Sequence, residues 1–351
     1  MSHPDDQKKY LNLDGVRVSY KAKDDTIHIT STDPDVQTGG FHLSLTKGTQ
    51  TEETLRDLLI QHGVIRSFVS TDLNSRAKPI SFKQPTDAST GHSGQVITVT
   101  SARGGAGKTT LALLIAATLS HGMSKDGKTL KVCVVDMDTR DGQVGFLLGQ
   151  SKPTALNVFL DLEKDIDSLT ESLVYDKELN IHALLAPKRA RNADYLTQDF
   201  YRTTLTKLRD EFDVVIVDTS TNYLDFLKEA AYEESEAVLF VTQLSRGSLS
   251  GAAQWEKEIT LSNEDILKKT AVVINQAFDN SGVDIDSLQK VFEEVPIIGS
   301  VPSATQLIVP AANNNELETV ILQSNEVSRA VFSLTKNLFP DLDLISSVQT
   351  K

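Results

Sequence analysis

Residues 101–110 read Ser-Ala-Arg-Gly-Gly-Ala-Gly-Lys-Thr-Thr, an order of residue types that suits the binding of phosphate. Glycines let the chain turn tightly, so backbone N–H groups can converge on an anion at a helix N-terminus. Lys108 supplies a mobile cation for β- and γ-phosphates, and Thr109 supplies a hydroxyl for Mg²⁺. Gly104, Gly105, Ala106, Gly107, Lys108, Thr109 and Thr110 are therefore the expected nucleotide-contacting set. A glycine-rich turn alone would be weak evidence. Here β-branched residues precede it at 96–100 and an apolar helical run follows at 111–119, so the whole strand–loop–helix unit is present.

Further polar groups stand at the ends of apolar runs. Val132-Cys133-Val134-Val135 leads into Asp136 and Asp138, and Val214-Val215-Ile216-Val217 into Asp218. Val272-Val273-Ile274 leads into Asn275, and Ile297-Ile298-Gly299-Ser300-Val301 into Pro302. Runs of this kind predict buried parallel strands, and open parallel sheets collect ligands at the carboxyl ends of their strands. Mg²⁺ keeps several waters, so Thr109 with one or two carboxylates suffices to hold it. Asp and Asn at strand ends are also common in turns and helix caps. The order of these segments along the chain is what raises them above that reading.

The loop resembles the deviant Walker A motif of the ParA/MinD family of ATPases, written Lys-Gly-Gly-x-Gly-Lys-Thr. Arg103 stands where that family has its first lysine, which reaches the phosphates of a partner in a nucleotide-sandwich dimer. An arginine keeps the charge and adds a bidentate fork. The resemblance implies a P-loop α/β fold whose mostly parallel sheet is flanked by helices, binding ATP and Mg²⁺ and forming an ATP-dependent homodimer. It assigns Asp138 to the attacking water, Asp136 and Asp218 to the metal together with Thr109, Asn275 to adenine, and Pro302 to the loop over the base. Lys108, Asp138 and Arg103 are the implied catalytic set. Residues 138–149 and 184–188 narrow the likeness to the TadZ/CpaE branch and MinD-like proteins associated with bacterial secretion and conjugation.

The chain has 351 residues, too many for one ordinary domain. Residues 75–94 are rich in Ser, Thr, Pro and Gly and lack periodicity, so they read as a linker before a P-loop domain at 95–351. Residues 1–74 read as a small α+β module for binding a protein partner. Alternation at Val16/Val18/Tyr20, Ile27/Ile29 and Phe41/Leu43/Leu45 predicts strands. Thr49 with Glu52 forms a capping box before a helix through Leu55, Leu58 and Leu59, and a further strand is expected at 65–69. His28, His42 and His62 lack metal-ligand spacing.

The net charge is −13, with 35 basic and 48 acidic residues. Through residue 94 there are 11 Lys/Arg against 12 Asp/Glu, leaving 24 against 36, so the later portion carries −12. An acidic surface disfavours broad DNA binding, which depends on neutralising phosphates. A local patch at Lys188, Arg189 and Arg191, continued by Arg202, Lys207 and Arg209, is the one candidate against that trend. No apolar run approaches the roughly 18–20 residues of a membrane span. Val327, Ala330, Val331 and Leu334 form a helical stripe expected to pack on the core rather than on a membrane. The single cysteine, Cys133, lies in a predicted buried strand and excludes an intrachain disulfide. A cytoplasmic protein, recruited to a membrane-associated or polar complex, is the expectation.

Three functions fit. The first is an ATP-dependent dimerising switch that hydrolyses ATP to ADP and positions a pilus, secretion or conjugation apparatus. The second is a ParA-type partitioning ATPase that binds DNA. The third is a metabolic or cofactor-maturation ATPase of the same fold, although a metal-delivery member would want a cysteine pair.

Overall fold

The computed structural model describes residues 9–13, 16–21, 26–31, 94–122, 129–162, 168–222, 226–277 and 282–340. The chain divides into two compact units, Met1–Ser67 and Phe68–Lys351. In the first, β1 (Lys9–Leu13), β2 (Val16–Lys21) and β3 (Thr26–Ser31) form an antiparallel meander. The alternation at 16–20 and 27–29 falls within β2 and β3. β1 is not among the expected strands; its register, Leu13 opposite Val16, is that of a tight hairpin. The Asp14-Gly15 pair between β1 and β2 is the sequence signal that points to it. The strands expected at 41–45 and 65–69, the helix near 55–59 and the linker at 75–93 lie outside the described residues.

The second unit is built on an eight-stranded sheet. Its strands are β4 (Gln95–Thr100), β5 (Val132–Asp136), β6 (Val174–Asp176), β7 (Ile181–Leu184), β8 (Val214–Asp218), β9 (Ala237–Thr242), β10 (Thr270–Ala277) and β11 (Ile297–Pro302). Their spatial order is β11-β10-β9-β4-β8-β5-β7-β6, and every pair is parallel except β6 with β7. This is the expected α/β sheet. The chain leaves β4 for β5 on one side and later places β9 on the other. The crevice at the end of β4 is thus a topological switch point, where such sheets bind ligands.

Helices cover both faces. The longer ones are α1 (Lys108–His121), α2 (Ala155–Leu162), α3 (Gln198–Glu211), α4 (Leu227–Glu234), α5 (Arg246–Asn263), α6 (Ile285–Val291), α7 (Thr305–Asn314), α8 (Leu317–Leu322) and α9 (Glu326–Leu338). A helix apolar on all sides has to be buried, and eleven of the fourteen residues of α1 are. α9 packs against it: Val327, Ala330, Val331 and Leu334 are buried in the same cluster as Leu111, Leu114 and Ile115, as the stripe predicted. Asn325 and Ser328 close a capping box that fixes the start of α9. On the opposite face, Leu205 and Leu208 of α3 pack with Cys133, Val135 and Val215. Cys133 is buried and free, and burial pushes its thiol pKa upward, with Glu211 adding to the effect.

Polar residues inside β4 are satisfied by α4 and its C-cap. Thr98 hydrogen-bonds Ser235 at 2.6 Å and Thr100 hydrogen-bonds the Tyr232 hydroxyl at 3.0 Å. Such bonds remove the penalty of burying a hydroxyl and fix the strand that carries the loop.

Candidate nucleotide-binding site

The loop after β4 takes two left-handed turns, with φ 76° at Gly105 and 83° at Gly107, values that a side chain at either position would oppose. Gly107 is the N-cap of α1, and neither a side-chain cap nor an acidic residue occupies the first turn. The orphan N–H groups there are the kind an anion satisfies. Ser101 Oγ donates to the Arg103 carbonyl at 2.9 Å, bracing the start of the turn.

Three amide side chains hold the loop from the ends of neighbouring strands. Asn275 Nδ2 donates to the Ala106 carbonyl at 2.8 Å, while Gln243 Nε2 and Gln276 Nε2 each approach the Gly105 carbonyl at 3.3 Å. Gln243 also donates to Gln276 Oε1. With its carbonyls drawn toward β9 and β10, the loop has N–H groups left for a phosphate. A Cβ at Gly107 would lie 2.3 Å from Asn275 Nδ2, so the clamp itself requires glycine there. Pro302 ends β11 beside Ala277, two residues beyond Asn275, and so lies on the same sheet edge.

The carboxylates meet on the other side of β4. Asp136 and Asp218 are register partners at the ends of β5 and β8. Thr109 Oγ1 donates to Asp218 Oδ2 at 2.6 Å, while Asp218 Oδ1 is buried with no hydrogen-bond partner. Burial raises the Asp218 carboxyl to about 6, with Lys108 and the Thr109 hydrogen bond opposing that rise and Asp138 adding to it. Asp136 is also raised, first by burial and then by the charge of Asp218.

Asp136 turns its carboxylate to the following loop. Its two oxygens accept the backbone N–H groups of Asp138 and Val144, each at 3.1 Å. Gly142 makes this fold possible, because a Cβ there would stand 2.6 Å from Asp136 Oδ2 and 2.4 Å from Ala186 Cβ. Asp138 is half-buried and accepts from the Asp141 N–H at 3.1 Å.

The site is suited to a divalent cation. An orphaned buried carboxylate oxygen stands beside a threonine hydroxyl, and a second buried carboxyl, Asp136, is its register neighbour. Among the described residues no three His, Cys, Asp or Glu are grouped to hold a metal by themselves. That pattern suits Mg²⁺, which takes few protein ligands and completes its shell with water and phosphate oxygens.

Arg103 is exposed, and its guanidinium makes no hydrogen bond or ion pair among the described residues. Its side chain lies along α5, over Gly247 and Gly251. The basic run after Lys188 is a different case. Arg202 pairs with Glu233 at 2.6 Å and Asp199 at 3.2 Å, and Arg209 pairs with Glu236 at 2.5 Å. These two arginines are engaged by carboxylates, which corrects the picture of one continuous phosphate-binding patch. Lys188 and Arg189 are exposed. The side chain of Arg191 lies outside the described residues.

Sequence reasoning does not single out Gln243, Gln276, Gly142, Gly247 or Gly251. Only contact across the fold gives them a role. Gln276, directly after Asn275 at a strand end, is the one with a local signal.

A phosphate-binding loop at the switch point of a parallel sheet, backed by a Thr–Asp pair, defines a P-loop nucleotide-binding protein. Residues 94–273 match the family described as AAA domain, half of the chain. Among curated relatives, the septum site-determining protein MinD of Synechocystis sp. is 24% identical over 234 residues, covering 65% of this chain and 82% of the relative. The ParA family ATPase from Chlorobium tepidum TLS superposes with a TM-score of 0.62 at 19% identity, covering 69% of this chain and 98% of its own. MinD from Pyrococcus horikoshii, complexed with Mg-ADP, gives a TM-score of 0.56 at 17% identity, covering 69% and 94%. The chain belongs to the AAA-domain family and shares its fold with ParA and MinD proteins.

Proposed function

We propose that the chain is a Mg²⁺-dependent ATPase that works as a dimerising switch. The observation that carries this reading is the Thr109–Asp218 hydrogen bond at 2.6 Å beside the unpartnered Asp218 Oδ1, at the mouth of the phosphate loop. Gly104, Gly105, Ala106, Gly107 and Thr110 wrap the phosphates, and Lys108 neutralises the β- and γ-oxygens. Asn275 and Pro302 face the adenine side. Thr109 and Asp218 would hold Mg²⁺, and the ion would supply positive charge that offsets the phosphates. Asp136 keeps the Asp138 loop in shape and adds to the negative field around the metal.

Asp138 orients a water molecule toward the γ-phosphorus. The water oxygen bonds to phosphorus as the bond to the β–γ bridging oxygen breaks. ADP leaves with that electron pair, and the water's protons pass to phosphate oxygens and solvent. Such transfer depends on placement and electrostatics more than on a strong base. Arg103 extends outside its own loop with an unpaired fork, which supports a role on the phosphates of a second copy.

The Synechocystis relative is named for determining the septum site, which supports a task of placing an assembly inside the cell. We assign this chain to the TadZ/CpaE-like branch, acting in the cytoplasm on a pilus, secretion or conjugation apparatus. Residues 1–74 are the proposed partner-binding module, residues 75–94 the linker and residues 95–351 the ATPase. Partitioning of DNA is the second reading, favoured by the fold shared with the ParA family ATPase. Retention on non-specific duplex at physiological salt separates the two. ATP-dependent sub-micromolar binding lost on changing Lys188 and Arg189 would replace our reading with partitioning. Its absence, with polar or membrane-associated foci of the tagged full chain, supports the positioning role.

A further inference from the structure

Two glycines stand one turn apart on α5, Gly247 in its first turn and Gly251 in its second. Glycine is the poorest helix former after proline, so local preference does not explain the pair. Tertiary contact does. A Cβ at Gly251 would lie 3.1 Å from Ala102 Cβ and 3.3 Å from both Cγ and Nε of Arg103. A Cβ at Gly247 would lie 3.6 Å from Cζ and Nη1 of the same arginine. Residues four apart share one helix face, so the two missing side chains form a shallow track along α5. The stem of Arg103 runs over Gly251 and its guanidinium over Gly247.

We propose that Gly247 and Gly251 are positioning residues for Arg103, holding it extended and ready for an anion outside its own loop. This rests on the proposed reading of Arg103 as a group that engages the phosphates of a second copy. A long side chain loses rotamer freedom when it binds, and a track that already restricts the stem lowers that loss. The track is not a latch. Among the described residues the guanidinium has no bond that must break before it meets phosphate. The fork also lies beside the N-terminal turn of α5, next to the exposed Arg246, in a setting of positive potential that favours an incoming anion over a local pairing.

The two positions differ in tolerance. At 3.1–3.3 Å an added methyl at Gly251 forces its neighbours to shift, whereas 3.6 Å at Gly247 is ordinary contact. Gly251→Ala should lower the ATP turnover rate of the full-length chain at least about fivefold and Gly247→Ala less, with KM for ATP unchanged in both. A purely structural role, through the 3.1 Å approach to Ala102 Cβ, would lower turnover equally with and without the Arg103 side chain. Ser250→Ala, on the exposed side of α5, serves as the control. The decisive arm is a double-mutant cycle. Gly251→Ala should cost turnover in the Arg103 chain and nothing more in an Arg103→Ala chain. Additive losses, or a Gly251→Ala chain that turns over normally while Arg103→Ala is impaired, would overturn the track alone. Normal turnover in Arg103→Ala would overturn both the track and the reading beneath it. Melting temperature recorded for each variant separates loss of fold from loss of positioning.

Discussion

Thr109 and Asp218, 109 residues apart in sequence, meet through a hydrogen bond of 2.6 Å that ties the first turn of α1 to the end of β8. The bond leaves Asp218 Oδ1 buried and unpartnered. It fixes one wall of the phosphate site and leaves a free acceptor where a hydrated cation would sit.

Asp218→Asn keeps the shape and removes the charge. Charge-assisted hydrogen bonds contribute about 1.5–3 kcal/mol, so Mg²⁺-dependent nucleotide affinity should fall roughly 10–100-fold. Calorimetry with and without Mg²⁺ checks it. An affinity equal to wild type in Mg²⁺ would remove Asp218 from the metal site.

Lys108→Ala should abolish tight ATP binding, because no other loop cation from the same subunit faces the β- and γ-phosphates. Thermal shift with ATP gives the simplest readout: the stabilisation seen for wild type should vanish. A retained shift would mean that the loop is not the nucleotide site.

Gly142→Ala tests how the Asp138 loop is built. The new methyl must displace Asp136 Oδ2 or Ala186 Cβ, which lie at 2.6 and 2.4 Å from its position. Overpacking of this kind costs about 1–3 kcal/mol. ATP hydrolysis should fall while ATP binding, which depends on a different loop, stays close to wild type. Loss of binding to the same degree would show that the two loops are one mechanical unit.

Much of this site is legible in the sequence, and the reason is local. The P-loop works through glycine dihedrals and a lysine at fixed spacing, so Gly105, Gly107 and Lys108 announce themselves within ten residues. Apolar runs ending in Asp136, Asp218 and Asn275 mark strands, and parallel pairing brings their ends to one edge. The clamp of Gln243 and Gln276 on Gly105 and the glycine track beneath Arg103 are different. Their partners come from segments more than 130 residues away, and a glutamine or a helical glycine carries no local sign of what it touches. Arg202 and Arg209 mislead for the same reason: the carboxylates that occupy them, Glu233 and Glu236, lie on another segment.

Glu211 offers a test of the fold away from the site. Its carboxylate accepts from Leu169 N–H at 2.7 Å, Thr170 N–H at 3.1 Å, Ser168 Oγ at 2.8 Å and Thr170 Oγ1 at 2.6 Å. Partial burial raises its pKa, but the hydrogen bonds outweigh this and the net shift is downward. A lowered folded pKa gives stability that is present above the unfolded value and is lost as pH falls through the folded value. Glu211→Gln should therefore be less stable at pH 7, by about 1 kcal/mol for a partly solvated group, and should converge with wild type only as pH falls through the folded value, below the ordinary glutamate range. Urea midpoints across that range check it. A constant difference at every pH would assign the effect to packing.

The central claim is that ATP changes the state of association of this chain. Asp138→Ala should bind ATP with Mg²⁺ and turn it over slowly, so any ATP-bound dimer accumulates. Sedimentation velocity of the full-length Asp138→Ala chain is the direct measurement. A dimer is expected with ATP and Mg²⁺ and a monomer with ADP and Mg²⁺. The same sedimentation coefficient in both nucleotides would contradict it.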